Sequence, residues 1–133
     1  MNAGSRSTGP EIAMHPRRLS DILSVSRQIG VDDIGAIAGA GFRSIVCNRP
    51  DDEDPGQPQF ATIAAAAAAV GLRAVHQPVA SGAVTATDGV MFASILADLP
   101  KPVLAYCRSG ARSTTLWTLC QADAGYVAPH CGA

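Results

Sequence analysis

The sequence predicts an α/β fold in which a mainly parallel central sheet is flanked by helices. Three observations carry this. Short runs of strand composition alternate with segments whose apolar residues recur at helical spacing. One run, PVLAYC at 102–107, is almost wholly apolar, as expected of a central strand covered on both faces. Turn and capping signals separate the segments, most clearly RPDDEDPGQP and the pair Thr85 and Asp88.

In chain order, ILSVSRQI supplies a short strand at 22–26. DDIGAIAGAG then reads as a helix with Ile34, Ile37, Ala38 and Gly41 on one face. Asp32 or Asp33 lies near its N-terminus, where an acidic group suits the helix dipole. RSIVCN, 43–48, is a second strand. Pro58 suits the first turn of the next helix, which runs through FATIAAAAAAVG with Phe60, Ile63, Ala67 and Val70 inward and Gly71 at its C-terminus. Its alanines favour helix and allow close approach to a sheet. LRAVHQPV is the third strand. Thr85 and Asp88 form a capping box that opens a helix burying Met91, Ile95 and Leu99. After PVLAYC, a last helix runs from 111 to 122 and packs Trp117 against the sheet.

At 133 residues with 47% apolar side chains, the chain has the size and composition of one folded domain. Residues 1–17 read as a flexible arm, 18–124 as the domain and 125–133 as a tail. Ten Lys and Arg against eleven Asp and Glu give a net charge of -1, with no general electrostatic reason to bind nucleic acid or an anionic membrane. The N-terminal stretch lacks a signal-peptide core, and no run approaches the roughly 20 apolar residues of a membrane span. The expectation is a cytoplasmic protein with reduced thiols. Cys47, Cys107, Cys120 and Cys131 form no zinc spacing, and His15, His76 and His130 are scattered, so no metal or other cofactor is expected. Cys47 and Cys120 fall on apolar faces and read as core, and Cys131 falls in the tail.

The chemistry concentrates in YCRSGARSTTLW, 106–117. Cys107 stands at the carboxyl end of a strand and before a helix, where open α/β sheets bind ligands. A helix N-terminus and a neighbouring arginine both favour the thiolate. Backbone N–H groups from Arg108 through Ser113, including Ser109 and Ala111, can converge as an anion nest. Gly110 permits a backbone conformation closed to other residues, Arg112 can clamp an anion bidentately, and Ser113 can donate to the sulfur. A merely buried strand-end cysteine would not account for two arginines, two serines and a glycine beside it. His76, at a strand end, is a further candidate for the pocket.

Several blocks together resemble a bacterial family, the phosphatase-like domain of beta-lactamase-hydrolase-like proteins, some of whose members are labelled sulfurtransferases. They are LSVSRQI, DDIGAIAGAGFRSIVCNRPDDEDPGQP, VHQPVASGAVT and PVLAYCRSGARSTTLW, and the resemblance spans roughly residues 18 to 124. CRSGAR alone would be unspecific, because rhodanese domains also carry it. The resemblance implies the cysteine-phosphatase fold of dual-specificity and tyrosine phosphatases. It gives Cys107 the nucleophile's role, Arg112 the phosphoryl oxygens and Ser113 the steadying of the thiolate, and it places Asn48, Arg49 and the acidic run Asp51, Asp52, Glu53 and Asp54 on a loop at the same sheet edge.

Two departures from the phosphatase pattern shape the functional expectation. Arg112 follows Cys107 by five residues rather than six, as in many rhodaneses, and VHQPVASGAVT carries no carboxylate to serve as general acid. In addition, Tyr106 stands where phosphatases place a histidine. The expectation is therefore a sulfurtransferase that forms a Cys107 persulfide, taking sulfur from a small anion such as thiosulfate and passing it to a low-molecular-weight or protein thiol. The alternative is a cysteine-dependent phosphatase acting through a phosphocysteine, with a phosphoester, phosphate or sulfate in the cradle. A non-catalytic module binding an anion or a protein is the third reading.

Overall fold

Four strands end in a single row. The computed structural model describes residues 15–123. In it β1 (Arg17–Arg18), β2 (Leu23–Ser26), β3 (Ser44–Cys47), β4 (Arg73–His76) and β5 (Val103–Tyr106) form one sheet in the order β1-β2-β5-β3-β4. All neighbours are parallel except β1 against β2. The register pairs Ser26 with Tyr106, Tyr106 with Cys47 and Cys47 with His76. Every parallel strand therefore delivers its next residue to the same edge.

Both faces of the sheet are covered. On one lie a single 3-10 turn (Val31–Asp33), α1 (Ile34–Gly39) and α2 (Phe60–Ala69), which pack Ile34, Ile37, Ile63 and Ala67 against Ile45, Leu104 and Tyr106. On the other, α3 (Ala86–Asp98) and α4 (Ala111–Asp123) pack Phe92, Leu96 and Leu116 against Leu23, Val25, Val46, Val103 and Ala105. Successive residues of a strand point to opposite faces, so β5 has no solvent side and its apolar run follows. Each large side chain buried this way contributes about 1.5–3 kcal/mol.

The alternation of strands and helices is as the sequence predicts, and the capping box is present: Asp88 N–H donates to Thr85 Oγ1 at 3.2 Å and Thr85 N–H to Asp88 Oδ2 at 2.9 Å. The helical faces differ in places. Met91 is 52% exposed, and α3 instead buries Gly89, Phe92, Ala93 and Leu96, because its small residues lie against α4. Ile95 is half-buried, while Leu99 is buried but caps the helix. Val70 is 48% exposed at the end of α2. Gly41 turns the chain after α1 at φ 101° rather than facing inward. Pro58 precedes the N-cap, Gln59, instead of occupying the first turn.

Arg17, at the end of the expected arm, is paired with Val25 in β1. The rest of that arm to residue 14 and the expected tail, with His130 and Cys131, lie outside the described residues. Cys47 is a buried free thiol, as a core strand residue should be. Cys120 is buried with Ala93 on the face of α4, as read from the sequence. Among the described residues no helix is long and apolar enough to cross a membrane.

A Cβ on Gly89 would stand 2.8 Å from Leu119 Cβ, inside contact distance. Gly89→Ala should therefore lose about 1–2 kcal/mol through overpacking, rather than gain the ~1 kcal/mol that alanine brings to an open helix position. The urea midpoint of the variant measures this.

Candidate active site

The loop from Cys107 to Arg112 joins β5 to α4. Neighbouring segments grip it through backbone bonds that continue the sheet past its strands: Gln28 N–H to the Arg108 carbonyl (3.2 Å), Asn48 N–H to Tyr106 (2.8 Å), Gln77 N–H to Cys47 (2.9 Å) and Val79 N–H to Asn48 (3.1 Å). Gly110 takes φ 97°, and a Cβ there would meet the Ser26 carbonyl at 3.3 Å. Glycine thus permits both the loop's turn and its approach to the end of β2.

Cys107 is completely buried and makes no disulfide. Burial is the largest influence on its thiol and opposes ionisation. Backbone hydrogen bonds from Ser113, Gly110, Arg112 and Ser109 together outweigh it and bring the thiol below its ordinary value of 9.0. Gly110 N–H lies 3.1 Å from the sulfur. The amides ready to stabilise a thiolate are the donors that a bound anion would use.

Arg112, at the end of this loop, is buried. Its guanidinium makes a two-point bond to Glu53 (Nη1–Oε2 2.7 Å, Nη2–Oε1 2.9 Å) and also donates to the Val79 carbonyl at 3.0 Å. Hydrogen bonding to Glu53 is the main reason its pKa rises. Glu53 in turn accepts from Arg49 Nε at 2.9 Å. The two arginines, with Arg112 first, hold its carboxyl down at about 2.

The acidic run divides its labour. Asp51 Oδ1 accepts from Phe60 N–H at 2.8 Å and so caps α2. Asp52 sits at φ 67° and accepts from Gln59 Nε2 at 2.9 Å. Asp54 pairs with Arg49 and lies 3.6 Å from Arg108 Nε. Arg49 is not a wall of the pocket but a buried anchor, bonded to Glu53, Asp54 and Gln28 Oε1. His76 stays on the far strand, stacked on Phe60 at 4.6 Å with Nε2 2.9 Å from the Arg49 carbonyl oxygen. The Ser113 hydroxyl donates to Asn48 Oδ1 at 2.8 Å rather than to the sulfur. Tyr106 is buried in the core cluster that includes residues of α1 and α2.

A cleft of about 490 Å³ opens over the loop, lined by Arg27, Ser81, Arg108, Ser109, Ala111 and Arg112. Arg27 and Ser81 were not among the sequence-derived site residues. The parallel register carries the missing signal, because residues following Ser26 and Cys47 must flank the residue following Tyr106.

This arrangement of strand, cysteine loop and helix on a mainly parallel sheet defines the cysteine-phosphatase fold. The phosphatase Tk-PTP shares it with a TM-score of 0.66, covering 83% of this chain and 74% of that one at 18% identity. Residues 15–124 match the phosphatase-like domain of beta-lactamase hydrolase-like proteins, and the chain belongs to that family. The beta-lactamase hydrolase-like protein of Agrobacterium fabrum is 34% identical over 110 residues, which cover 83% of this chain and 26% of the relative. The chain thus spans about a quarter of that protein's length. A candidate phosphatase from Neisseria meningitidis is 36% identical in its crystal structure, with a TM-score of 0.77 over 82% of this chain and 78% of that one.

These likenesses overturn the expected rhodanese-like sulfurtransferase. The family domain is phosphatase-like, and the solved structure at 36% identity is a candidate phosphatase rather than a rhodanese. The physical reason lies in what the residue count from Cys107 to Arg112 measures. It gives the length of the loop, but the shorter loop still turns Gly110 N–H onto the sulfur at 3.1 Å and its backbone still lowers the thiol. Tyr106 likewise reports core packing rather than a change of chemistry.

Because Glu53 is lowered from 4.5 to about 2, its ion pairs stabilise the fold fully above pH 4.5, and that contribution is lost as pH falls toward 2. Glu53→Gln should cost about 1–2 kcal/mol at neutral pH, with the gap to the unmodified chain closing across that acid window. Denaturant titrations at a series of pH values measure it.

Proposed function

We propose that the chain is a cysteine-dependent phosphatase that hydrolyses phosphomonoesters through a phosphocysteine. The observation that carries this reading is the buried Cys107 thiol, lowered by backbone hydrogen bonding from its own loop with Gly110 N–H 3.1 Å from the sulfur, next to an Arg112 anchored on Glu53. A phosphoryl group is a compact anion with several acceptor oxygens, and a nest of amides with a fixed guanidinium complements it as charge develops.

In the first step Cys107 thiolate attacks phosphorus, and the S–P bond forms as the P–O bond to the leaving group breaks. The loop amides and Arg112 hold the phosphoryl oxygens. In the second step water attacks the phosphocysteine, the S–P bond breaks, inorganic phosphate leaves and the thiolate returns. Glu53 stays ionised on Arg112 and orients it rather than supplying a proton. Phenolate leaving groups need little protonation, so aryl phosphates suit this site. A phosphoester is the partner class that fits, with no metal or organic cofactor required by these steps.

Phosphate release from a nitrophenyl phosphate should fall by about 10³-fold or more in Cys107→Ser. In Arg112→Lys it should fall by about 10–100-fold, since a point charge replaces the planar fork. Phosphate release undiminished in Cys107→Ser, or sulfur transfer from thiosulfate without phosphate release, would overturn the reading.

A further inference from the structure

A chain of buried polar side chains, Ser113, Asn48 and Gln77, links α4 to α3. Ser113 Oγ lies 2.8 Å from Asn48 Oδ1, Asn48 Nδ2 lies 3.2 Å from the Gln77 carbonyl, and Gln77 Nε2 lies 3.0 Å from the Asp88 carbonyl. The direction of these bonds is fixed. The Gln77 carbonyl can only accept, so the Asn48 amide turns Nδ2 to it and Oδ1 to Ser113. Oδ1 in turn can only accept, so the single proton of the Ser113 hydroxyl lies on that bond. A flip of the amide would set two carbonyl oxygens against each other.

The backbone holds Asn48 in place as well. Its N–H donates to the carbonyl of Tyr106, the residue before Cys107, at 2.8 Å. Its carbonyl accepts from Val79 N–H at 3.1 Å, and the Val79 carbonyl accepts from Arg112 Nη1 at 3.0 Å. Burial opposes ionisation of Cys107, and backbone hydrogen bonding led by Ser113 outweighs it. Ser113 is therefore near the sulfur, yet its hydroxyl proton is committed to Asn48.

We propose that Asn48 is a positioning residue that keeps the Ser113 hydroxyl off the Cys107 sulfur, so that the thiolate forms without a donor from that side chain. Each hydrogen bond to a thiolate lowers its pKa and its nucleophilicity together. Withholding one leaves a stronger nucleophile toward phosphorus, and that consequence alone rests on the phosphatase reading. Released from Asn48, the hydroxyl has two competing acceptors. One is the carbonyl a turn back, the use that Thr114 and Thr115 make of Gly110 and Ala111. The other is the sulfur, and once ionised it is the stronger, because charge strengthens a hydrogen bond.

The test titrates the Cys107 thiol by the ultraviolet absorbance of its thiolate, taken as the difference from the matching Cys107→Ser variant. The charged and titratable groups around it, Arg108 and Arg112 on its loop, Cys47 on β3 and Glu53 on Arg112, are common to every variant. Ser113→Ala should move the thiol pKa by about half a unit at most, whereas Asn48→Ala should lower it by more than that, to about one unit. Adding Ser113→Ala to Asn48→Ala should abolish the fall. A loop merely loosened by the loss of Asn48 would raise the thiol instead. A larger rise in Ser113→Ala, a smaller fall in Asn48→Ala, or a fall that survives the second substitution would overturn the proposal. Ser113→Ala removes only a hydroxyl, and it decides alone if Asn48→Ala does not fold. Turnover of an aryl phosphate is read separately. These shifts without hydrolysis would sink the phosphatase reading and keep the role of Asn48, and hydrolysis without the shifts would do the reverse.

Discussion

The site depends on one carboxylate. Glu53 lies between Arg112 and Arg49, and through it the acidic loop after β3 is tied to the helix after β5. Arginine has a long side chain whose ordering costs entropy. A two-point bond to a carboxylate, itself held by a second buried cation, meets that cost before any ligand arrives. The same interaction accounts for an acidic run beside the candidate anion site: Glu53 and Asp54 pair with the two arginines, and the loop amides are left to the thiol.

Parallel register supplies the second constraint. Ser26, Tyr106, Cys47 and His76 stand in one row, so the segments that follow them must meet at one edge. Cys107 leaves β5 with β2 and β3 on either side and both faces of the sheet covered. Its burial would suppress ionisation, and the amides of the turn reverse that. Gly110 allows both effects, since a side chain there would press on the end of β2.

Much of this was legible in the sequence, for identifiable reasons. The apolar PVLAYC run and the Thr85 capping box are local signals, and both fold as they read. The run of residues from Cys107 to Ser113 stands out as the candidate site because a strand end, a glycine and a helix start coincide there. Long-range pairing was not legible. Nothing near Arg49 says that it faces inward to Glu53, or near Ser113 that its hydroxyl turns to Asn48. The face of α3 was misplaced because Gly89 and Ala93, which approach α4, look weaker in a hydrophobic pattern than Met91. The choice of sulfur over phosphorus erred in a similar way, since a residue count stood in for the three-dimensional closure of the loop.

The central claim is that Cys107 Sγ is the atom that takes the phosphoryl group, and trapping that adduct tests it most directly. The protein would be mixed with an aryl phosphate, quenched rapidly in denaturant, digested at a pH that preserves the S–P bond, and its peptides mapped by mass. The account predicts a phosphoryl group on Cys107 that forms within the first turnover and disappears as substrate is exhausted. Phosphate release with the phosphoryl group on another residue, or with Cys107 unmodified throughout turnover, would contradict it.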